Sequence, residues 1–507
     1  MILVMNTQTY ISGRILSTFL AIAISLAAQA HSGSEDQRQV RADVESKLAS
    51  FRLNAAEQRA DQLSDAGYRA FYKSTILVYK YMASQDGAYL QSFRNGFDAA
   101  TSAVSSVSDS DPLKKVMLSD LYCKRAVLEF LTENYLTAVR YTRTGRNYIR
   151  ENQTAFPNNV EQKRILGLFN VILGAVPSKY QWLTNMLGYE GNVNSGIRQL
   201  EEAASSGSTL LRLESQFILY YVERNMLNLN ESAIRRIEGE RSRIGGSILL
   251  DFLVASANQS IKQNEKSLAI LVQRDKYVSS DIFFIPYWDY LLGKAYYYKD
   301  DHTHAQQSLA RFLKGYKGKM FRTDANFRLG MSLSLSGAYS SGKYFFQLVA
   351  NETGGNFDED QYAAHMAKKF SAAAPGSAIL SLFRARNLFD GGYYDRAIAV
   401  LRPLDSQSGQ LSPGERSELA YRYGRIYHSQ GKLDMAISHY RQCTQTVAPE
   451  EYKWLQAFSY YYIGDIARQQ GNRPAARTQF EKVLTFTNYY YQTGLENRTK
   501  IALSQLK

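Results

Sequence analysis

Several clusters in this 507-residue chain hold residue types that could do chemistry. Asp300, Asp301, His302 and His304 form a D-D-H-T-H string, and carboxylate with imidazole is a donor set that divalent metals accept. The string falls where a turn between two helices is expected, and polar residues belong there in any case. Gly337 to Tyr344 reads G-A-Y-S-S-G-K-Y, close to the phosphate-cradling G-x-x-x-x-G-K-[ST]. Tyr344 stands where the magnesium-holding hydroxyl is needed and no strand pattern precedes the loop, so nucleotide binding is not expected. His428 and His439 have no serine, cysteine or paired carboxylate at a spacing that forces a catalytic constellation. Cys123 and Cys443 lack metal or redox spacing and read as two buried apolar residues. These readings predict no catalytic residue, no metal site and no cofactor.

One basic run stands out. Arg311, Lys314, Lys317, Lys319 and Arg322 follow one another without an acid, interleaved with Phe312, Tyr316 and Phe321. Cations beside aromatic rings can contact anionic lipid, polymer or nucleic acid. Arg311, Lys314, Tyr316, Lys317, Lys319 and Arg322 are therefore the candidate partner-binding residues. The alternative is a solvated helix end, where cations offset the helix dipole. The formal net charge of +13 fits anionic partners in general but selects none, and nucleic acid is not expected. Tyrosine is abundant, at 37, with triplets at Tyr296–Tyr298, Tyr460–Tyr462 and Tyr489–Tyr491. Three successive helical residues point about 100° apart, so one or two of each triplet pack in the core and the rest are available to a groove.

The elements that position these residues show in a repeat of small residues. A small residue is followed by another 12 positions later in Gly293 with Ala305, Gly330 with Gly342, Ala385 with Ala397, Gly424 with Ala436 and Gly464 with Ala476, more weakly in Ala126 with Ala138. Large residues and a turn recur at fixed offsets around them, as in Tyr423, Gly424, Tyr427, Gly431, Ala436 and Tyr440. Paired antiparallel helices cross closely only where the contact residues are small, and large neighbours fill the flanks. One pair cannot bury its apolar face alone, so pairs must stack. Only 9 prolines interrupt the chain, which suits long helices. The pattern resembles the tetratricopeptide repeat family, with successive units spaced regularly and slightly further apart than the family's usual repeat. It predicts an all-α, right-handed α-solenoid of helix-turn-helix repeats, elongated enough that the two cysteines do not meet.

Ile165 to Ala203 differs, with Pro177 breaking an apolar run, Trp182, Leu183 and Leu187 after it, and Gly188, Gly191, Gly196 and Leu200 closing the string. This segment is loosely similar to a motif of the tetratricopeptide repeat protein 39 and Iml2 family, which supplies no catalytic residue to carry over. The N-terminal segment combines Arg14, an apolar run from Ile15 to Ala27 and Ala28-Gln29-Ala30, the three-part pattern of a secretory signal. The expected organisation is a signal peptide at 1–30, an irregular helical-repeat region at 31–245, and a repeat region at 246–507 ending in a polar capping helix.

The expected role is that of an exported scaffold without catalysis, periplasmic in a Gram-negative host and otherwise secreted. It would hold a protein or peptide ligand in a concave groove. Two alternatives are a membrane-surface or anionic-polymer binder working through Arg311–Arg322, and an accessory helical component of an envelope enzyme system. An enzyme proper would need an added catalytic domain, and the repeats leave no stretch for one.

Overall fold

In the computed structural model, residues 35–174, 185, 187–189, 191–225, 231–278, 280–351 and 358–506 are described. The expected signal segment, and Pro177, Trp182 and Leu183 of the glycine-rich motif, lie outside them. Among the described residues there are helices and turns but no strand, and no helix is long and apolar enough to cross a membrane.

The helices pair as hairpins in chain order. The first half holds α1 (Glu35–Ala49) with α2 (Leu53–Ala60), α3 (Ala66–Ser84) with α4 (Gly87–Ser105), and α5 (Lys114–Leu131) with α6 (Tyr135–Ala155). Next come α7 (Glu161–Gly174) with α8 (Val193–Ser206), α9 (Thr209–Asn225) with α10 (Glu231–Ile244), and α11 (Ile248–Ser260) with α12 (Asn264–Leu271), followed by the short α13 (Arg274–Val278). The second half holds α14 (Tyr287–Lys299) with α15 (His302–Gly315), α16 (Arg322–Leu335) with α17 (Tyr339–Asn351), and a lone helix α18 (Asp358–Ala372). Then follow α19 (Ser377–Asp390) with α20 (Tyr394–Ser406), α21 (Pro413–Ser429) with α22 (Leu433–Gln445), α23 (Lys453–Gln469) with α24 (Arg473–Val483), and finally α25 (Gln492–Ser504). From α3 onward the first helix of each unit packs on the first helix of the next, as in α11 on α14 and α21 on α23, which makes the array an α-solenoid.

The crossings sit where the small-residue repeat places them. A Cβ on Gly293 would lie 2.7 Å from Leu309, one on Gly424 2.6 Å from the Tyr440 ring, and one on Gly464 2.9 Å from the Phe480 ring. In each case the contacted side chain is 16 positions on, on the facing helix. Gly330 and Gly342 meet each other, and a Cβ on Gly342 would stand 2.6 Å from the Gly330 carbonyl oxygen.

Seven positions after the first small residue the backbone turns left-handed, at Gly337, Gly392, Gly431 and Gly471, and also at Asp300 and Glu133. The same turn at Lys262, φ 62°, exposes a unit hidden in the sequence: Ala255, Ser267 and Leu271 stand at its small, small and filling positions, all fully buried. A lysine in the turn and a serine at the second small position concealed it. The weak Ala126 and Ala138 pair lies in the α5–α6 hairpin, both residues buried.

Two expectations are corrected. The regular spacing of units does not hold throughout, because Gly330 and Ala385 lie much further apart than any other successive pair from Gly293 onward. The excess is α18, which has no hairpin partner and packs on α16 and α17. Downstream of it, α19 returns to earlier elements: it packs on α14, Arg384 Nε donates to Asp300 Oδ2 at 2.6 Å, and Tyr393 Oη receives a bond from Asn264 Nδ2 at 3.0 Å. Nor is the first half a simple elongated stack. A single apolar core runs from Val40 to Leu329. Ser247 Oγ donates to the Ala49 carbonyl at 2.8 Å and the Phe283 amide to the Phe51 carbonyl at 2.9 Å, so the α1–α2 hairpin folds back onto elements from the middle of the chain. The cysteines nonetheless stay apart, both free and buried, and burial pushes Cys123 up to about 12 and Cys443 to about 11.

The described part of the glycine-rich segment has a packing role. A Cβ on Gly167 would lie 2.7 Å from Leu200, and one on Gly196 2.7 Å from the Gly167 carbonyl oxygen, so α7 and α8 cross at backbone contact. At the other end, α25 buries Leu495 and Ala502 against the last hairpin.

Gly342→Leu should destabilise the chain by about 3 kcal/mol or more, because its side chain would run into backbone. Gly431→Ala, which strains only a left-handed turn with open space around it, should cost about 1 kcal/mol. Urea denaturation followed by circular dichroism measures both, and an equal effect of the two would contradict a backbone crossing at Gly342.

Candidate interaction site

Arg386 and Arg425 directly follow Ala385 and Gly424, so they occupy equivalent places on α19 and α21, the first helices of two successive units. That place faces inward. The Arg425 guanidinium lies 4.4 Å from the Tyr462 ring centroid, 5.0 Å from Phe389 and 5.9 Å from Tyr421, and its Nη1 donates to the Tyr421 hydroxyl at 3.1 Å. The Arg386 guanidinium stands 5.4 Å from the ring centroid of Tyr362 on α18. Both arginines are ringed by protein yet keep part of their surface in solvent, as groove-floor residues do.

Neighbouring cations are neutralised: Arg422 binds Glu418 at 2.6 Å and Arg328 binds Asp324 at 2.6 Å. Arg386 and Arg425 form no ion pair among the described residues, although Asp390 is close enough for Arg386 to feel its charge. Aromatic faces hold an arginine through its ring-facing plane and leave its N–H edge for a carboxylate. No run of charge marks this place in the sequence, since the two arginines belong to separate units. Aligning the small-residue positions is the signal that finds them.

The basic run is dispersed by comparison. Tyr316 is buried, its hydroxyl bonded to that of Tyr287. Arg322 Nη1 donates to the Leu313 and Tyr316 carbonyls at 3.0 and 3.3 Å, so it closes the end of α15. Arg311 meets an acid after all, from another helix, at 3.1 Å from Asp289 Oδ1. Lys314, Lys317 and Lys319 are exposed.

The other clusters are absorbed by the repeat. Asp300 Oδ1 lies 3.1 Å from His302 Nε2, and its other oxygen takes Arg384. Asp301 caps α15 through the His304 amide at 3.2 Å and also meets the His304 ring at 2.7 Å. Gly337 makes its unit's turn and Gly342 its crossing. His439 stacks on Tyr423 and Tyr427, His428 meets Tyr440 and Tyr462 edge-on, and burial lowers the pKa of both. Of the tyrosine triplets, Tyr297 and Tyr298 are core and Tyr296 stacks on His304, while Tyr460, Tyr461 and Tyr462 are all part-exposed and Tyr489 alone of its triplet is core.

A second constellation escaped the sequence reading entirely. Asp120 and Lys124 on α5, Arg164 on α7 and Glu214 on α9 form an ionic cluster wholly shielded from solvent. Lys124 Nζ lies 3.0 Å from Asp120 Oδ2 and donates to Thr75 Oγ1 at 2.5 Å. Arg164 spans Asp120 at 3.5 Å and Glu214 at 3.4 Å, and the Tyr79 hydroxyl donates to Glu214. These residues come from helices well separated along the chain and carry no local pattern. Burial lifts Glu214 to about 7 against the lowering pull of Arg164, Tyr79 and Lys124, and burial lowers Lys124.

Residues 415–488 match the family model of the tetratricopeptide repeat, so the segment running from α21 to just past α24 carries such repeats. Among solved structures the chain is similar to the crystal structure of the APC/C hetero-tetramer Cut9–Hcn1, at 10% identity and a TM-score of 0.27, over 93% of this chain and 96% of that one. No curated protein matches the sequence.

Glu214 sets the sign of one pH effect. Its folded value, about 7, lies above the ordinary 4.5, so its contribution to stability is full below 4.5 and is lost as pH rises through 7. The stability difference between the protein and a Glu214→Gln variant should therefore change between pH 5 and 8, with the variant's curve flatter. Parallel curves from urea titrations across that range would refute the assignment.

Proposed function

We propose that this chain is a non-catalytic scaffold that binds a protein or peptide partner on the inner face of its second half, in the cell envelope of an exporting host. The carrying observation is the pair Arg386 and Arg425: two guanidiniums at equivalent repeat positions, seated on aromatic rings and lacking a carboxylate partner among the described residues. An unpaired guanidinium is costly to cover unless the incoming group supplies acceptors, so this face favours a segment bearing carboxylates. Part-exposed Tyr462 under Arg425 adds ring surface of the kind that dominates binding energy at interfaces. The catalytic alternative gains nothing from the clusters that had the right residue types, because each is engaged in turns, caps or crossings. The apolar run at 15–27 and the small residues after it support export.

A second reading has its own observation. Lys314, Lys317 and Lys319 stay exposed at the end of α15, and a cationic rim of this kind suits an anionic membrane surface or polymer.

Affinity capture from the native envelope tests the first reading. A reproducible partner should be retained by the natural chain and lost with Arg386→Glu together with Arg425→Glu, while a Lys314→Glu, Lys317→Glu, Lys319→Glu variant keeps it. Vesicles containing anionic lipid test the second: the lysine variant should lose low-salt binding. A chain that captures no partner and ignores the arginine reversals is not this scaffold.

A further inference from the structure

The second helix of the third hairpin, α6, carries a stripe of arginines. Its inner face is fixed by close packing on α5: Ser119 Oγ donates to the Gly145 carbonyl at 2.7 Å, and Ala138, Gly145, Ile149 and Asn152 are buried. Leu136, Arg140, Arg143, Asn147 and Arg150 alternate in steps of 4 and 3, which puts them on the opposite face, and all five are exposed. The stripe is about 21 Å long, with Leu136, 64% exposed, at its head.

The helix itself does not call for these arginines. Cations offset a helix dipole in the last turn, whereas Arg140 and Arg143 stand in the first half of α6 and its last turn holds no basic residue. Like charges three and four positions apart weaken a helix, and Arg150 is close enough for Arg146 to feel its charge. Arg140, Arg146 and Arg150 form no ion pair among the described residues. Of the nearby acids, Glu133 stands in the turn before α6, Glu151 is taken by Lys115 at 3.0 Å, and Asp98 on α4 acts on Tyr122.

Aromatic rings seat two of the four. The Arg146 guanidinium lies 3.7 Å from the ring centroid of part-exposed Tyr189, and that of Arg140 5.0 Å from Tyr141. A guanidinium so held keeps its N–H edge for phosphate oxygens, which it binds in pairs as lysine cannot. From Tyr135 to Arg150 there are four arginines, no lysine and no acid. Leu136 separates the carriers of phosphate. A soluble polymer offers an apolar side chain nothing, whereas a bilayer admits it below the headgroups while cations hold the phosphates above. We infer that the face of α6 from Leu136 to Arg150 is a docking surface for the phosphate headgroups of an anionic membrane, with the helix lying along the interface. It uses neither the inner face at Arg386 and Arg425 nor the lysines at the end of α15, so it stands or falls apart from both readings above.

The full chain is sedimented with vesicles of phosphatidylcholine, alone or mixed with phosphatidylglycerol. The natural chain should bind the mixed vesicles and leave phosphatidylcholine alone. Each cation at such a surface contributes about fivefold, so Arg140→Gln with Arg143→Gln and Arg150→Gln should lower the partition coefficient at least about tenfold. Leu136→Ser should lower it about threefold or more while the arginines stay in place. Circular dichroism checks the helix content, which glutamine at exposed positions should preserve. If the triple variant loses helix, Arg140→Gln and Arg150→Gln taken singly should each weaken binding about two- to fivefold. Absence of binding by the natural chain, or binding that ignores the arginine variants, overturns the inference. So does loss confined to the Lys314→Glu, Lys317→Glu, Lys319→Glu variant, which would place the membrane contact at α15. Inorganic polyphosphate is the probe for a soluble polymer: if it binds through the same arginines while vesicle binding ignores Leu136→Ser, the lipid assignment falls.

Discussion

Two helices can cross at backbone contact only where neither carries a side chain at the crossing point, and in this chain small residues recur at that point in every unit from Ala255 onward. Where Gly330 faces Gly342 the backbones touch; where Gly424 faces Tyr440 a ring takes the space a Cβ would need. The angle between paired helices, the face left for the next unit and the place of each following residue depend on that approach. Arg386 and Arg425 point inward for the same reason that Ala385 and Gly424 point at their partners: one step along a helix turns a side chain about 100°.

The interior of the first half obeys a different constraint. There the first helices of successive units bring Asp120, Lys124, Arg164 and Glu214 together, shielded from solvent. Removing charges from water costs several kcal/mol each, and attraction between them offsets that only with good geometry. Such a cluster contributes little to net stability, but it penalises any packing that separates its helices. Folding back of α1 and α2, through Ala49, Phe51 and Ser247, closes this region over its polar centre.

The sequence showed what is local and periodic. Small residues 12 apart, a turn seven positions after the first, and a large residue filling the gap are visible one hairpin at a time, and they predicted the hairpins that form. Three things were not legible. The Ala255 unit uses Lys262 and Ser267 where the others use small or turn-forming residues, so composition hid a geometry that only φ reveals. The buried cluster joins residues with no shared period. The inward arginines belong to the repeat, but reading them needs the register to be fixed first, after which position matters and local charge density does not. The basic run at Arg311–Arg322 illustrates the reverse: charge was dense there, yet Arg311 is paired with Asp289, Tyr316 is buried and Arg322 closes a helix end, which leaves three exposed lysines unpaired by these contacts.

The return of α19 onto α14, past α16, α17 and α18, changes how the array can come apart. In a purely linear stack each unit is a link, and opening any one severs the two halves. Here Arg384 on Asp300 and Tyr393 on Asn264 join the units on either side of the excursion directly. The excursion is then a side loop in the mechanical circuit. Tension along the solenoid can pass from α14 to α19 without crossing it, so α16, α17 and α18 can loosen while the spine remains loaded.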